Sequence, residues 1–276
     1  MNEGSLAATF LIVFRETLEA SLIVGIICAV LYRLGQSRFL PHVFASSFAG
    51  VLASLVGGFF LFSLAQSVRG RAEEILEGVI SIAACAVLTH MIFWMDRQAK
   101  QIKPELEAKV EQAVTKEEML TIVALPFIAV FREGAETVLF LSAISMQSSS
   151  SISLGMGSFG FLLAVLIGVL IFAFGKKVPL RQFFRSTGVL LLLMAAGLLA
   201  YGIHELHEAG WIPPVIEHVW DTNHILNEKG GPGSFAKALF GYNGNPSLVE
   251  VTAYVIYLST IVFFLKQTPK AALKHG

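Results

Sequence analysis

Two stretches place charge where the chain is otherwise apolar: Phe14-Arg15-Glu16-Thr17-Leu18-Glu19 and Phe131-Arg132-Glu133-Gly134-Ala135-Glu136. In each, arginine and second glutamate are four residues apart and the two glutamates three apart, so all three side chains project from one side of a helix. Both sit near the middle of runs long enough, at ~1.5 Å per residue, to cross a hydrocarbon core of about 30 Å. A charged group at that depth costs roughly 2.5 to 3.5 kcal/mol on insertion scales and must meet a partner or water. If the stretches face each other, Arg15 and Arg132 leave two of the four carboxylate charges of Glu16, Glu19, Glu133 and Glu136 unbalanced. A lock made only of buried ion pairs does not account for that surplus, whereas protons or a bound cation would, and an intramembrane carboxylate cluster favours the cation. The four glutamates are oxygen donors, suited to magnesium, calcium, manganese, ferrous or ferric iron. Arg15 and Arg132 would support them, holding the carboxylates through charge-assisted hydrogen bonds.

The elements that carry these residues follow from composition. Of 276 residues, 55% are hydrophobic and 14% charged, which describes an integral membrane protein. The net charge is zero and no basic cluster interleaved with aromatics occurs, which argues against nucleic acid as a partner. Cys28 and Cys85 fall inside apolar runs and read as small apolar residues. The first run has no positive segment before it and is too long for a cleavable leader, so it is expected to remain as a helix.

Seven runs are long enough to span, at about 5–32, 42–66, 73–95, 120–146, 153–175, 185–207 and 247–265. Fourteen lysines and arginines lie after the first, third and fifth runs and in the tail, against Arg69, Arg71, Lys229 and Lys237 on the other side. That asymmetry predicts the N-terminus outside and the C-terminus in the cytoplasm. The motifs, 117 residues apart, then lie on antiparallel helices. The expected fold is an all-α membrane protein with a 3+3 inverted repeat and one C-terminal helix, its site at the interface of the halves. The first repeat covers about 5–95, a cytoplasmic linker 96–119, the second repeat about 120–207, an outer loop 208–246 and the last helix about 247–265. Pro126 should kink the fourth span, Ser148 to Ser151 should form an external turn, and Gly230-Gly231-Pro232-Gly233 reads as a flexible turn. Trp211 and Trp220 suit a membrane interface.

Further polar residues cluster toward the outer side. Glu73, Glu74 and Glu77 open the third span, where acidic groups favour a helix N-terminus and could also concentrate cations. His204, His207 and Glu208 at the end of the sixth span, with Glu250 at the start of the seventh, are candidates for the same access path. The histidines are three apart rather than the four that a zinc-protease motif needs. His90 is expected to be a hydrogen-bonded packing residue.

The paired R-E-x-x-E helices resemble those of the high-affinity iron permease family (oxidase-dependent iron transporters), in particular its bacterial EfeU-type ferrous iron permeases. The likeness covers nearly the whole chain, extending to Leu76-Glu77-Gly78, Phe93-Trp94-Met95, His207-Glu208-Ala209-Gly210, Phe240-Gly241-Tyr242 and Val249-Glu250-Val251. It implies iron import across the cytoplasmic membrane, with Fe2+ or Fe3+ as substrate and no organic cofactor. Glu16, Glu19, Glu133 and Glu136 match the family's iron-binding glutamates, and Arg15 and Arg132 its arginines. It also implies partners beyond the lipid bilayer: an extracytoplasmic iron-binding protein and a haem peroxidase or ferroxidase. Thr17-Leu18 and Gly134-Ala135 depart from the commonest Gly-Leu filling, at positions that face away from the carboxylates. Two competing readings are a transporter or channel for another divalent cation and an intramembrane di-iron carboxylate oxidase. The oxidase would need Glu-x-x-His pairs on facing helices, and the first and fourth spans have none.

Overall fold

The computed structural model describes residues 3–98, 102–148, 153–174, 180–213, 215–228 and 230–267. Ser149–Ser151 of the expected turn, Lys100, Lys176, Lys177, Lys229 and the tail with Lys270 and Lys274 lie outside them. Nine α-helices and no strand occur among the described residues: α1 Glu3–Arg33, α2 Leu40–Ser67, α3 Arg71–Gln98, α4 Ile102–Thr115, α5 Met119–Ser148, α6 Leu154–Phe174, α7 Leu180–Glu208, α8 Gly231–Phe240 and α9 Leu248–Gln267. By length and composition α2, α3, α6, α7 and α9 can cross a membrane. The motif helices α1 and α5 are longer, at 31 and 30 residues, but carry three charges each within about one turn. Pro126 lies inside α5.

α1 packs on α6, α5 on α2 and α3 on α7, with α1 and α5 in contact between them. Glycines let these pairs approach backbone to backbone. A methyl added at Gly160 of α6 would stand 2.9 Å from the Phe10 carbonyl oxygen of α1, and one at Gly50 of α2 would stand 2.9 Å from that of Phe127 in α5. Phe10 and Phe127 occupy the same place relative to the two motifs, and each stacks on the phenylalanine that precedes its arginine, Phe14 or Phe131. Gly78 and Gly202 approach reciprocally across α3 and α7, each against the other's carbonyl oxygen.

One core cluster joins α1, α3, α5, α7 and α8 through residues such as Ile12, Ala84, Leu88, Phe140, Leu198 and Leu239. A second joins the C-terminal part of α1 (Ile27, Val30, Leu31) to Val43, to Val110 and Ala113 of α4, and to Ile122 near the start of α5. Because the end of α1 meets the beginning of α5 there, the two motif helices are antiparallel. The segment expected as a charged linker therefore contains α4, which lays an apolar face on α1 and α5 and is tied by Arg33 Nη2 donating to Glu111 Oε1 at 2.6 Å.

Two sequence expectations are corrected. Gly230-Gly231-Pro232-Gly233 opens α8 instead of forming a flexible turn: Gly230 is the N-cap and the proline lies in the first turn, where its fixed φ suits a helix and its missing N–H has no partner to lose. α8 ends at Gly241, whose φ of 68° is the left-handed conformation that lets its N–H return to Ala236 and Lys237. His90 is an exposed residue on the surface of α3, not a packing residue.

Candidate metal centre

On α1, Arg15 Nη1 donates to Glu16 Oε1 at 2.7 Å, and its Nη2 lies 2.6 Å from Glu19 Oε1. All three side chains are buried. On α5, Arg132 donates to Glu133 Oε1 through both Nε and Nη2, and Nε lies 3.7 Å from Glu136 Oε1. Here Glu133 is buried but the arginine is 45% exposed. Antiparallel packing of α1 on α5 turns the motifs toward each other, so one carboxylate oxygen from each of Glu16, Glu19 and Glu133 lies within 4.8 Å of the other two. Glu136, expected as the fourth ligand, stands outside this group.

The oxygens that the arginines leave over matter most. Glu16 Oε2, Glu133 Oε2 and Glu136 Oε2 are buried and accept no hydrogen bond among the described residues. A buried carboxylate oxygen without a partner is unfavourable by an amount that a bound cation recovers. The four motif carboxylates and two arginines carry a formal charge of −2, and the donor set is all oxygen, which fits a hard or borderline divalent ion.

α3 adds two contacts that the spacing of the motifs does not announce. Arg15 Nη1 also donates to Met91 Sδ at 3.0 Å, and the Arg132 guanidinium lies 5.0 Å from the centre of the Trp94 ring.

Beyond the motifs, a cleft of about 470 Å³ opens among α2, α3, α5 and α7, with Arg69, Glu73, Glu77, Ser142, Tyr201 and Glu205 on its wall. Tyr201 Oη donates to Glu77 Oε2 at 2.6 Å. Of the expected access residues, Glu73 and Glu77 line this cleft. Glu74, His204, His207, Glu208 and Glu250 do not. Glu250 is buried and occupied, accepting from Asn243 Nδ2 at 2.7 Å and Ser247 Oγ at 2.9 Å with His204 Nδ1 at 3.1 Å. It fastens α9 to the segment that precedes it and to α7. His207 Nδ1 is engaged with the Ile212 carbonyl at 2.9 Å. Glu205 was missed in the sequence, although Tyr201 and Glu205, four apart, project from one face of α7.

A helical bundle of apolar spans around buried, converging carboxylates describes a multi-pass membrane protein. The chain belongs to the iron permease FTR1 family, whose profile matches residues 6–269. It is 35% identical over 261 residues to the ferrous iron permease EfeU of Yersinia pestis, covering 93% of this chain and 92% of the relative. It is 32% identical over 265 residues to the ferrous iron permease EfeU of Escherichia coli O157:H7, covering 95% and 96%. No solved structure is significantly similar to it.

Proposed function

We propose that this chain imports iron, in its ferrous form, across the cytoplasmic membrane, binding it between the two motif helices. The observation that carries this reading is the convergence of Glu16, Glu19 and Glu133 within 4.8 Å in the interior of an iron permease family member. The −2 charge of the four motif glutamates with their two arginines favours a divalent ion, and the relatives' names as ferrous iron permeases agree.

The path follows from positions along the helices. Ser142, on the cleft wall, lies nine residues beyond Glu133 on α5, roughly 13 Å at 1.5 Å per residue. Ile27, in the second core cluster, lies eight residues beyond Glu19 on α1, roughly 12 Å in the opposite direction. An ion is gathered by Glu73, Glu77 and Glu205 in the cleft, taken up by Glu136 at the looser motif and held by the triad. It leaves once the apolar layer under α4 opens. Lysine and arginine distribution supports the cleft facing outward, with seven spans that include α1 and α5. The matched contacts of Gly50 with α5 and Gly160 with α1 support an inverted repeat in which α1–α3 correspond to α5–α7.

The test is uptake of radiolabelled Fe2+ under ascorbate into liposomes, for wild type, Glu133→Gln and the exposed-charge control Arg38→Gln. Uptake by wild type and Arg38→Gln but not by Glu133→Gln is the expected result. Equal uptake by Glu133→Gln would sink the reading, and stronger competition by Mn2+ or Zn2+ than by unlabelled Fe2+ would move the substrate to another divalent ion.

A further inference from the structure

The motif arginines come from different helices, yet both rest on one strip of α3. Arg15 donates to Met91 Sδ at 3.0 Å and Arg132 lies over the Trp94 ring at 5.0 Å. Met91 and Trp94 are three residues apart and so share a face of that helix. Neither residue carries charge. A thioether and an indole face are polarisable acceptors that attract a guanidinium without neutralising it. A carboxylate at either place would hold its arginine permanently, and a leucine would offer it nothing.

The geometry points to Met91 and Trp94 as positioning residues that hold the arginines while the carboxylates change partner. The inference rests on the iron-binding reading above. Glu16 and Glu133 each give one oxygen to an arginine and keep the other unpartnered. When a divalent ion arrives, those glutamates turn toward it and the arginines, now beside a like charge, are pushed away. Arg132 slides further onto the Trp94 ring and Arg15 keeps its Met91 contact, so neither charge is left bare in the bundle. When the ion departs, both arginines stand ready to take the carboxylates back. The two residues therefore act on the rate of exchange and little on the strength of ion binding. α3 also reaches the cleft through Glu73 and Glu77, so one rigid helix spans from the gathering residues to the arginine supports.

The experiment measures initial Fe2+ uptake against Fe2+ concentration in proteoliposomes, normalised to reconstituted protein, for Met91→Leu, Trp94→Leu, Trp94→Phe and Glu133→Gln. Leucine conserves the volume of methionine, so Met91→Leu disturbs packing least. Maximal rate is expected to fall about threefold in Met91→Leu and about five- to tenfold in Trp94→Leu, with half-saturation within about twofold. Trp94→Phe, which keeps an aromatic face, should recover most of the loss. A packing role alone predicts no such rescue. The inference is overturned if Met91→Leu matches wild type while Trp94→Phe and Trp94→Leu match each other. In that case an inactive Glu133→Gln leaves the iron site standing, whereas an active Glu133→Gln removes both.

Discussion

Around α1, Arg15 is sealed at 2% exposure with two carboxylates at 2.7 and 2.6 Å, while around α5 Arg132 is 45% exposed, holding Glu133 closely and Glu136 only at 3.7 Å. The Arg-Glu-x-x-Glu spacing is the same in both. Their immediate surroundings differ: Arg15 is buried and also meets Met91, whereas Arg132 leans outward onto the Trp94 ring. On the proposed reading, the difference makes one half of the site a fixed floor and the other a movable wall, with Glu136, which belongs to the looser copy, as the ligand that would join and leave.

Breaking this asymmetry should be possible with one substitution in each copy. Glu16→Gln removes a fully buried ligand and is expected to lower Fe2+ uptake by about 100-fold or more, against about tenfold for Glu136→Gln. Equal losses in the liposome assay would make the two copies equivalent ligands. The arginines should separate in stability. Arg15→Gln strands two closely held buried carboxylates and should destabilise by roughly 3–5 kcal/mol, whereas Arg132→Gln strands only Glu133 at close range and should cost less. Thermal unfolding in detergent micelles reads both, and a larger loss for Arg132→Gln would invert the assignment of floor and wall.

Away from the arginines the halves should behave alike. Gly50→Ala and Gly160→Ala each push a methyl against a facing carbonyl oxygen, and each is expected to cost about 1–3 kcal/mol. A difference beyond that range between them, in the same unfolding assay, would show that the asymmetry reaches the helix packing. The smallest effect belongs to Tyr201→Phe, which removes the hydrogen bond to Glu77 and should cost about 1 kcal/mol. A rise of a few-fold in half-saturation for Fe2+, with maximal rate unchanged, would place its action in the cleft.

Much of this site is legible in the sequence. Three- and four-residue spacings put Arg15, Glu16 and Glu19 on one face, and the second copy repeats them, because helical periodicity is a local property. The same rule put Glu73 and Glu77 together. Spacing names a face, however, and not the neighbour that covers it. Met91, Trp94 and Glu205 reach the site and the cleft through the packing of α3 on α5 and α7, which the sequence marks only by glycines such as Gly78 and Gly202. The position of Glu136 outside the triad, 3.7 Å from Arg132 Nε, is likewise not announced by the spacing. Glu250 and His204 looked available because both are polar and near a helix end, and became a fastening once the segment between α7 and α9 folded against them.

The apolar layer of Ile27, Leu31, Val110 and Ile122, each at most 1% exposed, is also an electrical insulator. Were water in the cleft to extend to Glu136 and the triad, as the proposed path requires, that half of the bundle would lie near a single potential and a transmembrane voltage would fall mainly across the layer beneath the triad. An elementary charge crossing the full voltage gains about 2.3 kcal/mol per 100 mV, and a divalent ion about 4.6. The inside-negative potential would then drive the last step of import and leave occupancy of the triad almost untouched. Imposed potassium gradients with valinomycin should raise the maximal uptake rate without shifting half-saturation, and a shift in half-saturation alone would put the voltage drop across the cleft instead.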